Sequence, residues 1–199
     1  LFGFIYIGIP HFFVLYFVQI AVSFSMFFGY LSVLFTGKYP QSLFDFNLKF
    51  FRWQYRVMSR LLLMADGYPA FGLNATDEAV TLVASNPGKI GFGKSWVRFL
   101  FGFFFIMIPH GFVLMFYAIP AIFLLYLSLI FAIVIVITGK YPKAVQEYMV
   151  GLFRWTLRVN FYMSLMSDEY PPFSGKMTDA ERAEDGGSVL EGNDDILDA

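Results

Sequence analysis

The sequence predicts an all-α integral membrane protein made of two tandem copies of one unit, a transmembrane helical hairpin followed by an amphipathic interfacial helix. An apolar composition, an internal repeat and a basic stripe after each apolar run lead to this prediction. Of the 199 residues, 58% are hydrophobic and 15% are charged, and the mean hydropathy is +0.62. Soluble domains carry about 25% charged residues, so the composition excludes a soluble globular protein. The absence of cysteine excludes disulfides and thiolate metal sites.

The internal repeat is visible by direct comparison of the two halves of the chain. Residues 1–15 match residues 100–114 at 11 of 15 positions, and three shorter motifs recur in the same order. A tandem duplication therefore sets the domain organisation. The motifs are Thr-Gly-Lys-Tyr-Pro at 36–40 and 138–142, Phe-Arg-Trp at 51–53 and 153–155, and Asp-x-Tyr-Pro-x-Phe at 66–71 and 168–173. The predicted regions are a first membrane repeat (1–73), a polar linker (74–94), a second membrane repeat (95–173) and an acidic, disordered tail (174–199).

Each copy contains one long apolar run, at 1–35 and at 97–137. Because about 20 helical residues cross a hydrocarbon core about 30 Å thick, both runs are too long for one comfortable span. Either each run is a tight hairpin of two spans, or a Pro-kinked interfacial segment leads into one long tilted span. The chain begins at Leu1 inside an apolar run, so we expect further residues before it.

Charge placement favours the hairpin. Lys94 and Arg98 lie at the beginning of the second run, and Lys140 and Lys143 follow it. Since Lys and Arg near span ends prefer the cytoplasmic side, a hairpin places both flanks on that side. We predict turns near Val18-Gln19 and near Pro120, although a hairpin that does not fully cross fits almost as well. The predicted spans are 1–17, 20–35, 97–117 and 121–137.

A third element follows each apolar run and carries a basic stripe. In copy 1 the charges at 45, 49, 52, 56 and 60 share one face of a helix over 43–64, opposite an aromatic face. This pattern is typical of a helix in the headgroup layer; the alternative is a helix packed on the spans with its stripe in the cytoplasm. The side chains expected at lipid headgroups are Lys49, Arg52, Arg56, Arg60, Arg154 and Arg158. Internal pairing of the arginines with Asp66 and Asp168 is the other possibility.

The two histidines, His11 and His110, are equivalent, and each follows a proline inside an apolar run. A neutral imidazole there can bond the carbonyl that proline leaves unpaired, and we favour that role. Interhelical contact and the ligation of a haem or pigment remain open. No metal site is expected. The other motif residues, to which we assign structural roles, are Pro10, Pro109, Gly37, Tyr39, Pro40, Gly139, Tyr141, Pro142, Trp53, Trp155, Asp66 and Asp168.

The motif set Ile-Pro-His, Thr-Gly-Lys-Tyr-Pro, Phe-Arg-Trp and Tyr-Pro-Pro-Phe resembles an uncharacterised bacterial membrane family, domain-of-unknown-function family 4389. The resemblance covers both copies and leaves out the linker and the tail. Copy 1 departs from it at Ala70, where copy 2 has Pro172, and copy 2 departs at 144–148. It implies a membrane location and a small helical domain, and it brings no catalytic residues.

These observations predict a non-enzymatic membrane scaffold or accessory subunit of a larger membrane complex. We expect its partners to be anionic membrane lipids and other membrane subunits, with no nucleic acid and no required cofactor. The expected location is the bacterial inner membrane, with the basic surface and the termini in the cytoplasm. One alternative is a small transport or lipid-handling component. Another is an electron-transfer subunit that binds haem or pigment through His11 and His110.

Overall fold

The computed structural model describes residues 3–126 and 128–184, and the regular elements in these ranges are helices. Each apolar run contains one π-helical turn near its start, and each run is followed by a 21-residue helix. The helices are α1 (Ile9–Thr36), α2 (Gln41–Leu61), α3 (Phe92–Gly102), α4 (Ile108–Tyr126), α5 (Ser128–Thr138), α6 (Lys143–Met163) and α7 (Asp179–Glu184), and the π-helical turns are Phe4–Gly8 and Phe103–Met107.

The turns predicted inside the apolar runs are not present. Helix α1 continues through Val18 and Gln19 for 28 residues, and α4 continues through Pro120 to Tyr126. Nothing at Val18-Gln19 forbids helical backbone, and Pro120 removes one helical hydrogen bond, which a helix can absorb as a kink. The transmembrane hairpins of the sequence prediction are therefore replaced by one extended helical course in copy 1 and by α3, α4 and α5 in copy 2.

The Thr-Gly-Lys-Tyr-Pro motif turns the chain at the end of each apolar run. Gly37 and Gly139 take left-handed backbone (φ 72° and 68°) just beyond the last helical residue. Their N–H groups donate to the carbonyls of Val33 (2.9 Å) and Ile135 (2.7 Å), which closes each helix. The proline at the end of each motif then precedes the first residue of the next helix, α2 or α6.

The two halves pack as antiparallel helix pairs. His11 near the start of α1 contacts Trp53 in the second half of α2, and His110 makes the same contact with Trp155 on α6. Helices α2 and α6 are also antiparallel to each other, because Gln146 at the start of α6 donates to the carbonyl of Met64 just beyond α2 (3.1 Å). It follows that α1 and α4 point in opposite directions.

Helices α2 and α6 form the inner pair of the fold. The largest core cluster joins Phe44 and Leu48 of α2 to Leu157 and Phe161 of α6, while a second cluster joins α1 to Trp53 and its neighbours on α2. The aromatic face that predicted an interfacial helix is thus covered by the other repeat. The sequence pattern did not reveal this, because it shows that α2 has an apolar face but not that the matching face of α6 packs against it.

The outer helices carry the exposed apolar surface. Two helical stretches, Ile5–Thr36 and Phe92–Phe123, are long and apolar enough to cross a membrane, and in each an apolar 18-residue segment is only 22% or 17% buried. Such a surface on a soluble monomer is unusual and marks an interaction with lipid or protein. Exposed aromatic side chains on α1 include Phe13, Tyr16, Phe17, Phe24, Phe27, Phe28 and Phe35.

Candidate functional site

Three motifs of the first repeat meet in one buried aromatic cluster around His11. The indole Nε1 of Trp53 donates a hydrogen bond to Nδ1 of His11 at 2.9 Å. Helix α1 supplies the imidazole and α2 the indole, and the segment after α2 adds Tyr68 and Phe71, with ring centroids 5.2 and 4.8 Å from the imidazole. The side chain of His11 is fully buried.

The second repeat builds the same cluster around His110. Trp155 donates to Nδ1 of His110 at 3.1 Å, and Phe173 stacks face to face on the imidazole at 4.0 Å. Tyr170 lies 5.2 Å away and donates its hydroxyl to the carbonyl of Phe105. The Ile-Pro-His, Phe-Arg-Trp and Tyr-Pro-x-Phe motifs recur together because they form one three-dimensional unit.

The tautomer of both histidines follows from these bonds. Since Nδ1 accepts from tryptophan, a neutral imidazole carries its proton on Nε2. The Nε2 atoms of His11 and His110 have no hydrogen-bond partner within the described residues. The favoured role, a bond to the carbonyl that proline leaves unpaired, is therefore wrong for the described residues, and interhelical contact is the role present. Ligation of haem or pigment through Nε2 requires that the surrounding aromatic rings move aside.

The basic stripe of α2 faces the linker of its own repeat. Arg56 is 2% exposed and donates to the carbonyls of Gly72 (2.6 Å) and Ala75. Arg60 is 8% exposed and forms an ion pair with Asp77 at 2.9 Å. Burial lowers the pKa of Arg56, and the charge of Asp77 opposes that shift. These two guanidinium groups therefore bind the chain itself.

Arg154 and Arg158 of α6, which correspond to Arg52 and Arg56 of α2, bind the segment after the second repeat. Arg154 donates to the carbonyl of Gly175 at 2.8 Å, and Arg158 donates to the carbonyls of Ser174 (2.8 Å) and Lys176 (2.6 Å). Arg158 also forms a two-pronged ion pair with Glu181. The beginning of the acidic tail is thus docked on α6, and the residues from 185 onward lie outside the described part.

A capping box fixes Glu181 at the first turn of α7. The Glu181 carboxylate accepts from the backbone N–H of Thr178 (2.9 Å), and the Thr178 hydroxyl accepts from the N–H of Glu181 (3.3 Å). Burial alone raises the pKa of Glu181. The hydrogen bonds from Arg158 and Thr178 and the nearby arginine charges outweigh that effect, so its pKa is lowered.

The remaining members of the predicted headgroup set are less enclosed. Arg52 is half-buried and donates through Nε to the carbonyl of Leu82 at 2.8 Å, and Lys49 is half-buried. The six predicted headgroup residues are thus not one open basic surface. Arg52, Arg56, Arg60, Arg154 and Arg158 contact the chain itself, but through backbone carbonyls, Asp77 and Glu181 and not through the Asp66 and Asp168 considered from the sequence.

The two aspartates of the Asp-x-Tyr-Pro-x-Phe motif differ in their surroundings. Asp168 accepts from the buried Arg98 and from Lys94 (3.1 Å), and Arg98 also lies over the Tyr162 ring at 3.8 Å. Asp66 is exposed. The sequence did not point to Arg98 as a partner of Asp168, because the corresponding position of copy 1 lies before Leu1 and the two copies cannot be compared there. Its only signal was a single charge beside aromatic residues.

A cavity of about 700 Å³ lies between the two repeats. Helix α2 contributes Tyr55 and α6 contributes Phe153, Leu157 and Phe161, while the linker and the segment after α6 form the other walls. Burial raises the pKa of Tyr55 to about 12, so its phenol is neutral at physiological pH. The cavity edge carries Arg154, Arg158 and Glu181. Sequence reasoning missed this cavity because it requires the antiparallel packing of α2 on α6.

Comparison with known families gives one match, and it covers both repeats. The model of the family described as Domain of unknown function (DUF4389) matches residues 4–72 and 92–175. The two matched segments correspond to the two copies and leave out residues 73–91, which are nearly all of the linker. No curated protein and no solved structure matches the chain.

Proposed function

Because this chain belongs to the DUF4389 family, whose function is unknown, we propose its role from the geometry alone. It is a non-enzymatic scaffold or accessory subunit that lies in one surface of a membrane. The apolar outer helices lie in the lipid, parallel to the membrane plane, and the polar face points to the aqueous side, which in a bacterium is the cytoplasm. This arrangement differs from spanning hairpins but keeps the basic residues on one side.

The course of the linker carries the proposal. Asp77 is bound at the end of α2 by Arg60, and the carbonyl of Leu82 by Arg52. Asn86 then donates to the carbonyl of Tyr39 at 3.1 Å, just before α2 begins. At the same end, Ile90 donates to the carbonyl of Gly37 at 2.7 Å. The non-helical linker therefore follows the whole length of α2.

Such a segment is incompatible with a hydrocarbon environment. Helix α2 has 21 residues, about 32 Å at 1.5 Å per residue, which is close to the thickness of the hydrocarbon core. If α2 stood along the membrane normal, the linker would cross that core beside it. Thr81 and Lys89 are exposed, and irregular exposed backbone does not occur in lipid, where water cannot satisfy its polar groups.

The antiparallel order of the helices favours the same orientation. Lys38 and Lys140 follow the ends of two antiparallel helical courses. If those courses spanned the membrane, the two lysines would lie on opposite sides, against the preference of Lys and Arg for the cytoplasmic side. With the helices in the membrane plane, both lysines lie at one level. Contact with anionic lipid then comes from exposed lysines, each contributing about 1 kcal/mol.

Cysteine labelling in sealed vesicles tests the orientation, since the native chain has no cysteine. Lys38→Cys and Lys140→Cys are treated with a membrane-impermeant maleimide added outside, and again after the vesicles are opened. The in-plane arrangement predicts that both positions, and Thr81→Cys in the linker, react from the same side. Reaction of Lys38→Cys and Lys140→Cys from opposite sides contradicts it.

A matched pair on the outer helices provides the control. Phe13 and Phe112 occupy equivalent positions of the two repeats, and both are exposed. Phe13→Cys and Phe112→Cys should resist the aqueous maleimide and react with a maleimide carried by a lipid. Ready aqueous labelling at both positions in membranes means that the aromatic surface faces water, and the proposal then fails.

The scaffold or accessory role has its own test. After mild solubilisation of native membranes, the chain should migrate in a complex well above its own mass of 22.8 kDa together with other membrane subunits. Migration as a free chain under conditions that preserve other membrane complexes contradicts this role. The lipid-handling alternative is favoured by one observation, the cavity between the repeats.

A further inference from the structure

We propose that the cavity between the repeats binds a single-chain amphiphile with a carboxylate head, such as a fatty acid, and that Glu181 competes with this ligand for Arg158. The proposal goes beyond the scaffold role and does not depend on how the body lies in the membrane. It assigns a ligand class to the cavity and a regulatory role to the first turn of α7.

The size and the floor of the cavity suit an apolar chain. Its volume of about 700 Å³ lies within the range of about 300–1,000 Å³ that is usual for small-molecule sites. The apolar floor is formed by side chains of both inner helices, and two of them, Leu157 and Phe161, belong to the buried core. These side chains are Tyr55, Phe153, Leu157 and Phe161.

The edge of the cavity already holds a carboxylate. Arg158 donates through Nε to one oxygen of Glu181 at 2.6 Å and through a terminal nitrogen to the other oxygen. A planar guanidinium that binds both oxygens of a carboxylate is a strong and geometrically selective pair. The bound carboxylate of Glu181 is therefore an example of the head group that this edge of the cavity can bind. A fatty-acid carboxylate with its chain on the apolar floor makes the same bonds.

The pairing with Glu181 is specific to the second repeat. At the offset of 102 residues, Arg56 corresponds to Arg158 and Ala79 to Glu181. Arg56 donates to two backbone carbonyls, and the nearby carboxylate of Asp77 is bonded to Arg60 instead. The fold unit therefore forms without an acid at this position. Displacement of Glu181 by a ligand leaves Arg158 its bonds to Ser174 and Lys176.

The charge balance around the head-group position favours an anion. Arg154 and Arg158 both line the edge. Asp168 and Glu169 also line the cavity, but Asp168 is paired with Arg98 and Lys94, and Glu169 is exposed to solvent. Glu181 is then the carboxylate that directly opposes a bound anion at Arg158, and its removal should favour binding.

Photolabelling tests the proposal on the full chain in phosphatidylcholine nanodiscs. The probe is a 12-carbon fatty acid with a diazirine near its methyl end, and mass spectrometry of peptides locates the label. We expect label on the segments that contain Tyr55 and Phe153. Glu181→Gln should increase this label about tenfold at subsaturating probe, since charge-assisted hydrogen bonds to the competitor are lost.

Asp179→Asn is the matched control. Asp179 lies on the same short helix, and its side chain is 99% exposed. The substitution removes the same charge as Glu181→Gln does. Asp179→Asn should leave the amount of label unchanged, whereas Arg158→Gln should reduce the label about tenfold. An uncharged 12-carbon alcohol probe should label the cavity weakly in the wild type. The Glu181→Gln result stands even if Arg158→Gln disturbs the docking of α7.

Three outcomes overturn the proposal. Equal labelling of Glu181→Gln and Asp179→Asn means that Glu181 does not compete for the site. Label confined to peptides of α1 and α4 means that the probe only partitions into the bilayer. Suppression of the label by phosphatidylglycerol in the nanodisc, as strong as that by unlabelled laurate, means that the head group is a membrane phosphate and not a free carboxylate.

Discussion

The hydrogen bond between Trp53 and His11 should be a principal link between α1 and α2, and Trp53→Phe removes it. The indole is 2% exposed and the imidazole is fully buried, so no water can replace the missing donor without a rearrangement. The substitution leaves Nδ1 of His11 as a buried acceptor without its partner. It also exchanges an indole for a smaller phenyl ring in a packed cluster with Phe71.

The expected loss has two parts. An unsatisfied buried acceptor costs about 1–3 kcal/mol, and the smaller ring adds about 1 kcal/mol for the space left behind, at the low end of large-to-small core changes. The free energy of unfolding should therefore fall by about 2–4 kcal/mol. Trp155→Phe should have a similar effect, because its bond to His110 has the same geometry at 3.1 Å.

The measurement is reversible unfolding in mixed micelles by titration with sodium dodecyl sulfate, followed by circular dichroism at 222 nm. Trp96→Phe is the control, since the Nε1 atom of Trp96 is buried without a hydrogen-bond partner within the described residues. This variant loses the same ring atoms and no hydrogen bond. A double-mutant cycle of Trp53→Phe with His11→Phe then isolates the coupling between the two side chains.

The reasoning fails if Trp53→Phe and Trp96→Phe lower the free energy of unfolding by the same amount, or if the cycle gives a coupling energy near zero. Either result means that the recurring histidine and tryptophan are retained for ring packing, with no contribution from the hydrogen bond between them.

Three further predictions use differences between the repeats. Leu63 and Leu165 occupy equivalent left-handed positions (φ 60° and 59°) after α2 and α6, but Leu63 is 42% exposed and Leu165 fully buried. Leu63→Gly relieves backbone strain and should raise the free energy of unfolding by about 1 kcal/mol. Leu165→Gly removes a buried side chain and should lower that free energy by about 2–5 kcal/mol in the same titration. A change of the same sign in both variants contradicts this reasoning. Gly29→Ala should lower the thermal midpoint, because a Cβ there overlaps the Tyr39 ring, whereas Gly93→Ala, which meets no neighbour, should not. Because the pKa of Glu181 is lowered on folding, its stabilisation is present above the unfolded pKa of about 4.5 and is lost as the pH falls through the folded pKa. Protease cleavage near α7 should therefore rise below pH 4.5 in the wild type and be high at every pH in Glu181→Gln, and a wild-type profile that is flat from pH 7 to 3 is inconsistent with this linkage.

The sequence predicted those features that depend on local chemistry and on self-comparison. The duplication, the helical class and the family follow from residues that are close in the chain or identical between copies. The helix over 43–64 follows from the spacing of its charges, and α2 ends within three residues of that boundary.

What the sequence alone determined is therefore which segments are helical and which side of each helix is apolar. The tertiary structure decided what covers each side. Hydrophobic periodicity shows where the apolar face lies on a helix but not what packs against it. The face of α2 that carries Phe44 could therefore lie in a lipid headgroup layer as well as against Phe161, which it contacts in the structure. An arginine stripe likewise fits phosphate or a backbone carbonyl, since both accept the same hydrogen bonds. Only the return of the linker along α2 places Arg56 on Gly72 and Asp77 beside Arg60.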